Sequence, residues 1–259
     1  MCADLGCVRV AGAVAVAGSG VAERWFELEY RLAGGSSRRE PLAACPGERF
    51  EDVEPVRRFH FEKGLRSFAG WWWFATTGCH VGFESWLERD HVMLMDFDPE
   101  ITGLSSQPFW LHWRDDEGSR RHAPDFFARR ADGTALVIDV RPDDRIGGRD
   151  AEAFGVTARA CAIAGWEFRR VGECDQVRVA NVRWLSRYRH SRCAAPAGTV
   201  EALLEVFRQP RPLFAGAAMA GERLRVLPVL FHLMWQRALA ADLAGALLDA
   251  GTMVWLGRV

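Results

Sequence analysis

The stretch from His122 to Pro142, HAPDFFARRADGTALVIDVRP, sets two β-prone runs on either side of Ala131-Asp132-Gly133. An Asp-Gly pair between apolar runs is a strong hairpin signal, because glycine tolerates the positive φ that a tight turn demands. DAEAFGVTARACAIAG follows with helical periodicity and a stop at Gly165, and WEFRRVG reads as one more strand. A helix and then a strand after a β-meander gives a mixed α/β core.

The flanking sequence is read against that centre. Residues 1 to about 50 read as short strands broken by GGSS and by a loop around Pro46, with RWFELEYRL the clearest alternation. GWWWFATTGCHV is aromatic and β-prone. FESWLERDHVMLMDFD carries Phe83, Trp86, Leu87, Leu94 and Met95 at helical spacing, and Ser85 with Glu88 forms a capping box that starts this helix near Ser85. PFWLHW adds a strand. From about residue 195, TVEALLEVFRQP predicts a short amphipathic helix ended by Pro210. ERLRVLPVLFHLMWQRAL and ADLAGALL predict two helices in close succession, and GTMVWLGRV a terminal strand. That order is the one expected of a small winged-helix-like module. The chain is therefore divided into a β-rich N-terminal extension (1–54), an α/β domain (55–194) and a winged-helix-like C-terminal domain (195–259).

A chain of 259 residues with 49% apolar content can bury a substantial core. Its net charge of −1 gives no global attraction to nucleic acid, so DNA binding requires local basic faces. Arg169, Arg170, Arg178, Arg183, Arg187, Arg189 and Arg192 supply the best candidate, with a solvated helix face as the plain alternative. The seven cysteines are scattered and none forms a CxxC pair, which argues against a disulfide framework or zinc ribbon and for reduced thiols. The apolar N-terminus lacks a basic start, and no stretch approaches 18 uncharged apolar residues. A cytoplasmic protein without a membrane segment is expected. Lys63 is the only lysine, so nearly every basic role falls to arginine.

Asp125 follows Pro124 at the start of one strand, and Asp139 lies on the next with 13 residues between them. Antiparallel pairing can bring both carboxylates to one end of the sheet. Residues 139 and 141 then share a face, which puts Arg141 beside Asp139. Phosphodiester hydrolysis needs a cation to neutralise phosphoryl charge and activate water, and magnesium prefers one or two carboxylates with waters completing its shell. The spacing matches the PD…(D/E)xK pattern of restriction-endonuclease-like nucleases, with arginine where that pattern has lysine. The bland alternatives are a turn aspartate at 125 and an Asp139–Arg141 ion pair.

Over roughly residues 55 to 259 the chain resembles TnsA, the endonuclease subunit of heteromeric transposases. The residues that carry the likeness are VGFESWLERDHVMLMDFDPEITGLSSQPFWLHW, HAPDFFARRADGTALVIDVRP and the PVLFHLMWQRALAADLAGALL tail, in that order. The resemblance implies a restriction-endonuclease-like mixed sheet flanked by helices. It also implies a nuclease that nicks at the 5′ ends of a transposon while a DDE-type transposase joins the 3′ ends. Carried over, the family's acidic residues fall on Glu88, Asp125 and Asp139, which would hold Mg2+ or Mn2+, and its lysine on Arg141. Glu84, one turn before Glu88, is the alternative helix acid; Gln107 in the QP pair and His122 are secondary candidates for shaping the site or touching a phosphate. Glu88 also has its capping role, and the Trp71–Phe74 run is assigned to core and partner packing rather than to base stacking.

Arginine cannot surrender its proton, so Arg141 could hold water or offset charge but could not serve as a base. Three functions follow as expectations. The first is a metal-dependent endonuclease acting on double-stranded transposon ends with its transposase partner. The second is an inactive nuclease-like scaffold that binds DNA ends and the transposase. The third, carried only by the C-terminal helices, is a transcription factor; those helices have few basic residues and suit a protein partner better.

Overall fold

The structure, a computed structural model, describes residues 26–59, 68–194 and 197–257. Its contacts divide the chain into two compact units, one running to Val92 and from Glu100 to Glu173, the other comprising Met93–Pro99 and Cys174–Val259.

In the first unit, β1 (Glu27–Arg31) and β2 (Ser37–Pro41) form an antiparallel pair, and strict alternation along β1 buries Leu28 and Tyr30. β3 (Gly70–Phe74) and β4 (Cys79–Phe83) form a separate hairpin, followed by helix α1 (Trp86–Phe97), whose residues from Met93 onward count with the second unit. Then come β5 (Ile101–Ser106), β6 (Trp110–Asp115), β7 (Gly118–His122), β8 (Phe126–Arg130) and β9 (Ala135–Val140). Helix α2 (Gly148–Ala164) and strand β10 (Glu167–Val171) complete the unit. One sheet has the order β2-β1-β6-β7; the other, β10-β9-β8-β5, is antiparallel except for the parallel β9–β10 pair that α2 connects. That parallel pair requires a crossover element, and the helix read from DAEAFGVTARACAIAG provides it. Gly133 (φ 84°) turns the β8–β9 hairpin and Gly165 (φ 73°) ends α2.

Phe50 lies at the centre of the core. Its ring is 5.0 Å from Tyr30, 5.1 Å from Phe109, and 5.5 Å from both Phe127 and Trp166, mostly edge-on, which suits aromatic quadrupoles. Residues from 26 to 54 therefore do not stand apart as an extension. Their apolar side chains join those of β8, β9 and α2 in one cluster, because β1 alternates and its buried face needs a cover. Every residue of β9 is buried, as expected of a strand covered on both sides.

The second unit contains α3 (Gln176–Leu185), α4 (Ala197–Val206), β11 (Arg211–Pro212), α5 (Leu213–Ala220), α6 (Arg223–Trp235), β12 (Leu239–Ala241) and β13 (Met253–Leu256). Its three strands pair in the order β11-β13-β12. α3 counts with this unit, so the chain divides after Glu173 rather than after 194. ADLAGALL does not form the expected helix: β12 ends at Ala241, and residues 242–252 are irregular, bending over 243–246 and turning at 250–251. Asp242 accepts from the backbone N–H groups of Ala244 and Gly245, capturing donors that a helix would use. Asn181 of α3, 2% exposed, donates to the Leu243 and Ala246 carbonyls and accepts from the Leu248 amide. These bonds satisfy the segment outside helical geometry. Among the described residues no helix is long and apolar enough to cross a membrane.

Candidate functional site

The β8–β9 register runs Phe126↔Ile138, Phe127↔Val137, Ala128↔Leu136, and its extension by one step sets Asp125 opposite Asp139. Directly opposed residues of an antiparallel pair present side chains to the same face. Asp125 immediately precedes β8, and its Oδ2 accepts from the Val140 backbone N–H at 2.7 Å. On the other flank its carbonyl accepts from the Gln107 N–H at 2.8 Å. The hairpin thus brings the two aspartates together at one end of the sheet.

Glu88 lies in the first turn of α1. Its carboxylate accepts from the Ser85 hydroxyl at 2.8 Å and from the Glu84 backbone N–H at 2.7 Å, while Ser85 Oγ accepts from the Glu88 N–H at 3.1 Å. This is the expected capping box, with the return bond made to the Glu84 amide instead of that of Ser85. Glu84 itself pairs with Arg57 Nη2 at 2.9 Å. Asp139, 2% exposed, has both carboxylate oxygens 3.0 Å from His122 Nε2 at the end of β7.

The electrostatics tie these groups to one locality. Asp125 is held well above the usual carboxylate range by desolvation, and next by the negative charges of Asp139 and Glu88; the Val140 amide and the Arg57 charge oppose that rise. Burial also lifts Glu88, with Glu84 adding repulsion, against the bonds from the Glu84 amide and Ser85 and the attraction of Arg57. Cys161 of α2 is pushed up to about 12 by burial and by the Asp139 charge, which leaves a protonated, unreactive thiol.

Arg141 takes a different course. β9 ends at Val140, the Arg141 backbone N–H bonds to Val171, and its guanidinium reaches Asp150 in the first turn of α2 at 3.1 Å. Asp150 is in turn bonded to the Gly147 amide that opens that helix. Among the described residues, the cation whose charge acts on both Glu88 and Asp125 is Arg57, a residue that sequence reasoning missed. No local pattern marks it, since its place depends on the long-range Val56 N–H to Gln107 carbonyl bond at 3.0 Å. Gln107 is 3% exposed, has φ 46°, and its Oε1 has no hydrogen-bond partner among the described residues.

Among the described residues no three His, Cys, Asp or Glu side chains stand in ready-made metal-ligating geometry. Glu88 is turned onto its own helix start and Asp139 onto His122. The donor chemistry nevertheless fits a hard cation. Asp125 and Asp139 are two opposed oxygen donors, the number magnesium commonly takes from protein, and the Val140 amide occupies only one Asp125 oxygen.

The remaining basic candidates divide between the two units. Arg169 and Arg170 belong to the first unit and pair with Glu167 and Asp143; Arg178, Arg183, Arg187, Arg189 and Arg192 belong to the second, where Arg187 lies 4.8 Å from the Trp184 ring centre. In the tryptophan run, Trp71 is 50% exposed and edge-on to Phe59, whereas Phe74 is fully buried. Compared with protein-family models and with curated proteins, the sequence matches none.

Proposed function

We propose that this chain is a metal-dependent DNA endonuclease, the cleaving subunit of a heteromeric transposase that nicks transposon 5′ ends alongside a DDE-type partner. The observation that carries this reading is the meeting of Asp125 and Asp139 across the β8–β9 pair, with the Glu88 charge acting on the same carboxyl. Like charges gathered in a poorly solvated place are unfavourable unless a proton or a cation offsets them. The chemistry a divalent cation supplies there is charge neutralisation at phosphoryl oxygens and a more acidic bound water. Asp125 and Asp139 would hold it, His122 fixes the Asp139 carboxylate, and Glu88 adds negative charge from the start of α1. Arg141 cannot act as a base, and its guanidinium is held by Asp150 at the start of α2, so no part in the site is assigned to it.

The second unit suits the partner-binding half of this task. Its order of helix, strand, two helices and two strands, from α4 to β13, supports the winged-helix-like reading. We assign it to the transposase or to flanking DNA.

One set of observations favours the inactive scaffold as a second reading: Glu88, Asp139 and Arg141 are each bonded to a protein partner. The deciding experiment incubates the full chain and its transposase with end-containing duplex, with Mg2+ or with chelator. Nicking that requires Mg2+ and disappears in Asp125→Ala supports the nuclease. Equal nicking by parent and variant removes the proposed site, and DNA binding without nicking leaves the scaffold.

A further inference from the structure

Resting on the nuclease reading, we propose that Arg57 is the DNA-phosphate ligand of this site and does the work that the sequence motif assigns to Arg141. Arg141 is committed elsewhere, through Asp150, to the beginning of α2. Arg57 has one N–H group on Glu84 at 2.9 Å, while its Nε is buried without an acceptor among the described residues. Its side chain remains 37% exposed, so a substrate can reach it. The exposed part of the guanidinium is what a substrate meets, and a phosphate oxygen is the acceptor that such a fork matches best.

Two further features place this cation with respect to the aspartates. Gln107 accepts from the Val56 N–H at 3.0 Å and donates to the Asp125 carbonyl at 2.8 Å, so one residue ties the Arg57 segment to the acidic row. It does so in the left-handed region at φ 46°, a conformation that costs a non-glycine residue energy and recurs at ligand sites. The Gln107 Oε1 is itself a buried acceptor without a donor among the described residues. Alongside, Trp110 carries two guanidiniums, Arg57 at 6.0 Å and Arg121 at 4.1 Å from its ring centre. Two cations on one indole next to carboxylates form a shelf for a polyanion.

The test separates phosphate binding from cleavage. Binding of a fluorescein-labelled mixed-sequence duplex to the full chain is followed by anisotropy, without metal, over a range of salt. Each lost phosphate contact lowers the slope of log K against log salt by about 0.9. Arg57→Gln should lower the slope by about that amount and weaken binding severalfold. Arg57→Lys should keep the slope, and Arg141→Gln should leave both quantities unchanged. With matched melting temperatures, an unchanged slope for Arg57→Gln overturns the inference, as does a fall in Arg141→Gln alone. If Arg57→Gln does not fold, Arg57→Met is read in its place: a slope lower by about 0.9 supports the inference and an unchanged slope overturns it. Failure of the nuclease reading is a separate result: Asp125→Ala nicks as well as parent, whatever the salt slopes.

Discussion

Asp125, one residue before β8, accepts through Oδ2 from the Val140 backbone N–H, next to Asp139 and one register step beyond the Phe126↔Ile138 pair. Because desolvation and the neighbouring charges raise the Asp125 carboxyl, the folded chain binds a proton there at pH values where the unfolded chain has released it. Stability contributed by this group is therefore present at acid pH. It is lost as pH rises from the ordinary carboxylate value to the raised one. Asp125→Asn, whose side-chain oxygen can keep the Val140 bond, should melt higher than parent at neutral pH in chelator and lack that decline. Thermal melts from pH 4 to pH 8 check this, and a variant less stable than parent at neutral pH contradicts the assigned electrostatics.

Mg2+ should reverse the order. A ligand at 100 times its dissociation constant stabilises by about 2.7 kcal/mol, provided it binds the folded state alone. Titrating Mg2+ into parent should raise its melting temperature, whereas Asp125→Asn and Asp139→Asn should respond little. An equal rise in all three would put the cation elsewhere.

What the sequence alone discloses depends on range. The Asp132-Gly133 turn, the α2 helix with Gly165 and the Ser85/Glu88 cap are local, and each formed where its residues indicated. The same hairpin count brought Asp125 to Asp139. Alternation along a strand also placed Arg141 beside Asp139, but it could not reveal that Asp150, nine residues on, takes the guanidinium. Arg57 depends on a backbone bond to Gln107 across fifty residues of chain, as the numbering shows, and has no periodic signature. ADLAGALL has helical composition; Asp242 and the distant Asn181 decide otherwise.

Ser85 tests whether Glu88 is held as a cap or free for chemistry. Ser85→Ala removes the hydroxyl that bonds both the Glu88 amide and its carboxylate. Loss of an N-cap costs about 1 kcal/mol, and denaturant unfolding should report that amount. If Glu88 also serves catalysis, Glu88→Gln should lose nicking while Ser85→Ala retains it. Parallel losses in both variants would restrict Glu88 to the helix start.

Phe50→Ala probes whether residues 26–54 belong to the first unit. It removes the ring that contacts Tyr30, Phe109, Phe127 and Trp166, and a buried Phe→Ala change costs about 3–5 kcal/mol. Chemical denaturation should show a shift of that size, with β1 and β9 amides losing protection together in hydrogen exchange. Selective loss in β1 alone would restore the separate extension.

Asn181 carries the corresponding test in the second unit. One buried carboxamide satisfies two carbonyls and one amide in the segment between β12 and β13. Leucine is close in volume but has no hydrogen-bonding groups, so Asn181→Leu leaves all three backbone groups unpaired at a site that is 2% exposed. Each buried group left unsatisfied costs about 1–3 kcal/mol, although water can reach part of a turn segment and reduce the sum. The expected loss is about 3 kcal/mol, read by urea unfolding, with faster exchange of the Leu248 amide and earlier proteolysis between residues 242 and 250. Aspartate at 181 could accept from Leu248 but could not donate to the Leu243 and Ala246 carbonyls, so Asn181→Asp should be as harmful at neutral pH. If both variants unfold like parent, the polar clamp is dispensable and the segment's departure from helix rests on Asp242 and its Asx turn alone.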